Sequence, residues 1–206
     1  PLRVALTPYT VEGPYGRLLD AAEEKLAFAE VQCFETEALM LQAGVVAPVL
    51  NYLFHRLEAR FDGRPTLLVI DEAWSLLEDP MFAARIREWL KTLRKKRVAV
   101  IFATQSPEDV SGSSIAASLI ESCPTQIFLP NPRALEPGSA ELYRAFGLNR
   151  RQLELIALAS PKRAYYWRQP QGRRLFELKL TGVALALCGA SSPEDQTLIA
   201  RTLAQA

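Results

Sequence analysis

At 206 residues, with 49% hydrophobic and 23% charged residues, the chain has the size and composition of one packed globular domain and lies outside the disordered and collagen-like classes. Lys plus Arg number 24 against 23 for Asp plus Glu, so a net charge of +1 excludes a global field drawing the domain onto nucleic acid or acidic membrane. Any anion binding has to be local.

Cys33, Cys123 and Cys188 are far apart, odd in number and set among apolar neighbours. Neither a disulfide framework nor a C-x-x-C metal site is expected, and a reducing cytoplasm fits. No apolar run reaches the roughly 18 residues of a membrane span, and no signal-peptide pattern precedes the first polar residues. The sequence opens at Pro1 with no initiator Met and is expected to be a piece of something longer.

In chain order, Arg17 to Ala29 reads as helical, Val31 to Phe34 as a short strand, and Val45 to Phe61 as a helix with Pro48 in its first turn. Leu67 to Ile70 and Val98 to Ala103 are continuous apolar runs rich in β-branched residues, the pattern of strands covered on both faces in a parallel sheet. Between them Phe82, Ile86, Trp89, Leu90 and Leu93 recur at helical spacing behind Asp79 as N-cap and Pro80 at the first helical position. Strand, helix, strand is a βαβ unit with a right-handed crossover. A helix over Ile115 to Ser122 leads to a third strand at Gln126 to Leu129. Asn149-x-x-Gln152 resembles a capping box opening a helix, and Ser192-Pro-Glu-Asp195 opens the last one. AYYWRQ and RLFELKL flank Pro170-Gln-Gly172 as a β-hairpin, an antiparallel extension of the sheet. The expected fold class is α/β.

In open α/β sheets ligands sit beyond the carboxyl ends of the strands. Thr66-Leu-Leu-Val-Ile-Asp-Glu-Ala-Trp74 places Asp71 and Glu72 there. An apolar strand ending in Asp-Glu is the Walker B arrangement of P-loop ATPases: the first carboxylate holds Mg²⁺ through water, and the second polarises the water that attacks the γ-phosphate of ATP. The same residues also read as a strand ending in a solvated acidic turn.

The next strand ends in Thr104-Gln105-Ser106, and the Gln105 amide is placed to sense the γ-phosphate or orient the lytic water. Ser106-Pro107-Glu108-Asp109 is equally a helix-start signal. Arg94-Lys-Lys-Arg97 closes the amphipathic helix, where cations favour the helix dipole by ~0.3–1 kcal/mol. Arg94 is the first candidate for an arginine finger supplied to a neighbouring subunit, with Arg97 second and DNA-phosphate contact as a rival use. The phosphate cradle G-x-x-x-x-G-K-[ST] is absent, since no Gly-Lys pair occurs.

Taken together, Tyr9-x-x-x-Gly13-Pro-Tyr-Gly16, Leu19-Asp20, Phe34-Glu35, Tyr52-Leu-Phe-His55-Arg56, Gly63-Arg-Pro65 and LLVIDEAW resemble the C-terminal motor domain of the VirB/TrbE-type ATPases of type IV secretion and conjugative transfer. Glu88 to Lys96, Phe102-Ala-Thr-Gln-Ser106, Glu121 to Thr125, Ile127 to Pro132, Phe146-Gly-Leu-Asn149 and Pro161-Lys-Arg-x-Tyr-Tyr166 are similar to that family in order and spacing. The resemblance implies a RecA-like P-loop core, mostly parallel with helices on both faces and a C-terminal hairpin. Residues 1–62 would be an N-terminal helical part and residues 63–206 the Walker B half. It implies an ATP- and Mg²⁺-dependent motor, hexameric when active, at the cytoplasmic face of a bacterial inner membrane. Its partners would be other secretion components and a transferred protein or DNA. On this resemblance Asp71 and Glu72 match the Walker B pair, Gln105 the polar sensor and Arg94 a basic motif near the subunit boundary. In the family the Walker A segment lies upstream of the residues matched here.

Two rival functions remain open at this level: a docking and oligomerisation module without ATPase activity, and a DNA-translocating motor of the conjugative coupling type. His55 has no second ligand at metal spacing and is assigned no chemistry. Trp74, Trp89, Tyr165, Tyr166 and Trp167 could stack on bases, but in these apolar contexts most are read as core or hairpin packing.

Overall fold

The computed structural model describes residues 2–24, 26–27, 29–190 and 192–204. Two compact units emerge, one made of the residues up to Leu67 together with Lys95–Ala99, the other of Leu68–Arg94 and Val100 onward.

The first unit is helical. It holds α1 (Leu2–Leu6), a 3-10 turn at Thr7–Tyr9, α2 (Gly16–Leu19), α3 (Glu37–Met40) and α4 (Ala43–Glu58). Helix α4 buries Val45, Leu50 and Phe54, with Phe61 buried just beyond its end. Pro48 sits inside α4 rather than in its first turn, so the Gly44 carbonyl receives no intrahelical bond from position 48. The Tyr9 hydroxyl donates to that carbonyl at 2.9 Å instead. Tyr15 stacks on Tyr9 with ring centroids 5.7 Å apart, and a Cβ at position 44 would lie 2.6 Å from the Tyr15 hydroxyl. The tyrosines of the N-terminal motif therefore serve a tight approach to Gly44 of α4, while Gly13 and Gly16 allow close turns against the Thr7 to Val11 backbone.

The helix expected from Arg17 to Ala29 ends at Leu19. Asp20 turns to extended dihedrals, and its carboxylate accepts from the Val11 N–H at 2.7 Å, which pulls the chain off the helical path. Lys25 and Phe28 of that stretch lie outside the described residues. Val31 to Phe34 forms no strand, and Val31 is 90% exposed.

Strands β1 (Thr66–Ile70) and β2 (Val98–Phe102) form a two-stranded sheet. Thr66 bonds Arg97 at one end and Ile70 bonds Ala103 at the other, so the pair is parallel, as the crossover predicts. The carboxyl ends of both strands belong to the second unit. The strands are not covered on both faces: Leu67, Val69 and Ile101 are exposed, giving the alternation of a half-buried sheet.

Helix α5 (Trp74–Leu77) follows β1, and α6 (Pro80–Thr92) provides the crossover. Asp79 caps α6 as expected, accepting from the Met81 and Phe82 N–H groups at 2.8 and 3.3 Å. Phe82, Ala83, Ile86, Trp89 and then Leu93 are buried, with α6 set against α5 and α8 (Ala116–Ser122). Helix α7 (Pro107–Ser111) follows β2.

Strand β3 (Gln126–Phe128) departs from the expected layering. It pairs antiparallel with β4 (Ala164–Gln169), which pairs with β5 (Gly172–Glu177), and this three-stranded sheet is separate from β1–β2 among the described pairings. The architecture is thus a mixed α/β core with small sheets, not the mostly parallel sheet expected. Here the hairpin pairs with the third strand.

Helices α9 (Pro137–Ala145) and α10 (Arg150–Leu158) lie between β3 and β4 and build a core of Phe128, Ala134, Ala140, Tyr143, Leu148, Leu153, Ile156 and Tyr166. Gly147, at φ +79, ends α9 in a Schellman motif: Leu148 N–H bonds the Tyr143 carbonyl and Gly147 N–H that of Arg144. The expected capping box at α10 is present, with Asn149 and Gln152 bonded reciprocally at 3.0 and 2.7 Å. In the hairpin, Arg174 lies over its cross-strand partner Trp167 at 5.6 Å, which gives one of the two arginines of β5 an aromatic partner. Helices α11 (Gly182–Gly189) and α12 (Pro193–Leu203) bury no residue, and α12 opens on the expected Ser192 cap.

Candidate functional site

The site is built on the backbone that follows β1. In a regular parallel ladder one residue bonds the carbonyl of position i−1 and the N–H of position i+1 on its neighbour. Ala103 N–H takes the Ile70 carbonyl at 2.9 Å, but its own carbonyl accepts from Ala73 at 3.0 Å, one residue later than regular pairing would put it. Asp71 and Glu72 are looped out by this bulge, and Glu72 adopts the left-handed conformation at φ +50. Such a backbone costs a non-glycine residue on the order of 1 kcal/mol. Ala73, 1% exposed, anchors the loop, and the Ser75 N–H and hydroxyl both donate to the Glu72 carbonyl.

The outcome is an exposed carboxylate with both oxygens engaged. Gln105 Nε2 donates to Glu72 Oε1 at 2.8 Å, and Trp74 Nε1 donates to Oε2 at 2.6 Å. Asp71 Oδ1 accepts from the Glu72 backbone N–H at 3.0 Å. Glu72 and Gln105 are 33 positions apart in sequence and meet because Ala103 ties β2 to both sides of the loop.

The polar segment after β2 divides its work. Ser106 and Asp109 form a capping box for α7, and the Thr104 hydroxyl donates to Asp109 Oδ2 at 2.5 Å. Gln105, the residue between them, is free of the cap and turns to Glu72. The helix-start reading of that segment holds, on Ser106 and Asp109.

Arg94 lies elsewhere. It is exposed on the 3-10 turn Leu93–Lys96, at the amino end of β2, whereas Gln105 follows the carboxyl end. Five strand residues at ~3.3 Å each separate the two ends. Of the rest of the basic run, Lys96 pairs with Glu58 at 3.9 Å and Arg97 takes a left-handed turn at φ +60. His55 is exposed on α4.

Trp74 is the one of the five singled-out aromatics that the packing reading does not fit. Trp89 and Tyr166 are buried and Trp167 and Tyr165 pack in the hairpin, but Trp74 is 36% exposed and bonded to the candidate base. The available signal was its position, two residues after the glutamate, where a tight turn brings the side chains together.

Among the described residues no group of three or more His, Cys, Asp or Glu side chains gathers at metal-holding distance. Mg²⁺ differs from metals that need such a cage: it keeps several waters and uses one or two carboxylates plus substrate phosphates. An exposed Asp71 beyond a strand end fits that requirement. Trp74 also lines a groove of about 230 Å³ with Leu77, Glu78 and Asp109, smaller than the ~300 Å³ at which small-molecule pockets begin. Cys123 is no nucleophile candidate, because burial pushes its thiol pKa up.

A carboxylate and an amide, Glu72 and Gln105, meet beyond the carboxyl ends of paired parallel strands in an α/β protein. Residues 2–162 match the TraG P-loop domain, and the chain belongs to that family, in the TrbE/VirB4 line of type IV secretion and conjugation proteins. It is 52% identical over 195 residues to a conjugal transfer protein TrbE of Rhizobium radiobacter, covering 94% of this chain and 24% of that protein. A probable conjugal transfer protein TrbE of Sinorhizobium fredii is 51% identical over 203 residues, 98% of this chain and 30% of that one. Against the type IV secretion system protein virB4 of Bartonella quintana the figures are 42% over 138 residues, 66% of this chain and 17% of the relative. The chain thus spans a quarter to a third of the first two relatives. The structure of VirB4 from Thermoanaerobacter pseudethanolicus matches in fold with a TM-score of 0.53 at 20% identity, over 66% of this chain and 37% of that one. No helix among the described residues is long and apolar enough to cross a membrane.

Proposed function

We propose that this chain is the Walker B half of a RecA-like motor domain, residues 1–62 its helical part and 63–206 its catalytic part, in a protein that hydrolyses ATP to drive conjugative or secretion transfer. The observation that carries this reading is the 2.8 Å bond between Glu72 and Gln105 beyond paired parallel strands, in a chain of a P-loop family. Glu72 is the general base: its carboxylate takes a proton from water as the water oxygen bonds the γ-phosphorus and the bond to the ADP oxygen breaks. Gln105 orients that water and senses the γ-phosphate. Asp71 would hold Mg²⁺ through water, and the ion would supply charge neutralisation on the phosphates.

Arg94, remote from Glu72 along its own chain, acts on a neighbouring subunit of a hexameric ring, where an arginine stabilises charge on the transferred phosphoryl group. The exposed apolar face of Leu67, Val69 and Ile101 supports a core completed by further strands, including the phosphate cradle. The assembly would work at the cytoplasmic face of the inner membrane with other secretion components and a protein or DNA cargo. Glu72→Gln in the full-length protein should cut ATP hydrolysis at least a hundredfold and leave nucleotide binding intact. Turnover at the wild-type rate would sink the assignment.

A docking and oligomerisation role has its own support in α11 and α12, whose Val183, Leu185 and Leu198 are all at least 60% exposed. Native mass spectrometry with and without ATP separates the readings, since a docking module assembles regardless of nucleotide.

A further inference from the structure

We propose that Trp74 is a positioning residue for the Glu72 carboxylate, its indole N–H fixing which oxygen faces the lytic water; this rests on the ATPase reading above. Glu72 projects from a bulge with left-handed backbone and is exposed, so packing does little to fix its side chain. Two neutral donors restrain it instead, Gln105 on Oε1 and Trp74 on Oε2.

They are not equivalent. Gln105 stands on the far strand and is the group assigned to the phosphate and water. Trp74 belongs to the same loop as Glu72 and is rooted in α5, where Leu76 and Leu77 are 8% and 5% exposed and Ala73 is bonded to the end of β2. Its side chain has only two rotatable angles, so holding it costs little entropy. With Oε2 occupied by the indole, Oε1 is the oxygen directed toward the Gln105 side. A carboxylate oxygen accepts more than one hydrogen bond, so Oε1 can take the amide and a water together. A base that must sit within ~0.5 Å of its productive position gains rate from such a restraint.

The test is ATP turnover by the full-length protein carrying Trp74→Phe, Trp74→His or Glu72→Gln. Phe keeps an aromatic ring and removes the donor. The Nε2 of His, after a ring flip, falls where the indole Nε1 lies and restores the donor. Trp74→Phe should lower kcat about tenfold with KM for ATP and the melting temperature unchanged, as expected for losing one hydrogen bond to a charged group. Trp74→His should recover most of that loss, and adding Trp74→Phe to Glu72→Gln should cost nothing further.

Wild-type kcat in Trp74→Phe, or equal impairment of Phe and His, overturns the proposal while a dead Glu72→Gln leaves the ATPase reading standing. An active Glu72→Gln removes both.

Discussion

The two small sheets of this protein solve opposite problems. Around β3–β4–β5 every feature serves packing: a Schellman stop, a capping box and a buried Gln152 whose amide donates to the Tyr166 hydroxyl at 2.8 Å. The rim beyond β1–β2 instead carries a bulge, a left-handed glutamate and exposed polar groups. Strain and polarity collect where a ligand would be met, and regular packing collects where none would.

Substitutions should separate the two regions by what they damage. Ile156, fully buried under the antiparallel sheet, should lose ~2–5 kcal/mol of stability on replacement by Ala, read as a lower denaturation midpoint. A loss under ~1 kcal/mol would mean that this core is looser than its burial indicates. Gln152→Ala should cost ~1–3 kcal/mol, because it strands the hydroxyl of the buried Tyr166 and removes half the capping box. Asp71→Asn on the rim should change stability by less than ~0.5 kcal/mol, yet raise the Mg²⁺ concentration needed for half-maximal hydrolysis. Should Asp71→Asn prove as destabilising as Gln152→Ala, the division between the regions fails.

Local signals in the sequence survived well. The caps at Asp79, Asn149 and Ser192, the helical stripe of α6 and the hairpin around Pro170 are all decided by neighbours within a few positions. Non-local choices did not survive. Whether Gln126 to Phe128 joins β2 or the hairpin depends on strand pairing over long sequence distances, and an apolar run looks the same in either place. Arg17 to Ala29 had helical spacing, but a single carboxylate bond from Asp20 to Val11 ended the helix. At the site, Asp71, Glu72 and Gln105 could be singled out from strand ends alone. The bulge that turns Glu72 toward Gln105 and Trp74 has no spacing signature, so the bond from the indole to Glu72 is legible only in the folded chain.

The grip of Ala103 on both Ile70 and Ala73 has a mechanical corollary. If the second strand slides along its axis, the acid and the amide travel as one piece, because the same rivet fixes the root of each. Force reaching this rim through that strand would carry the pair as a unit rather than prise it apart.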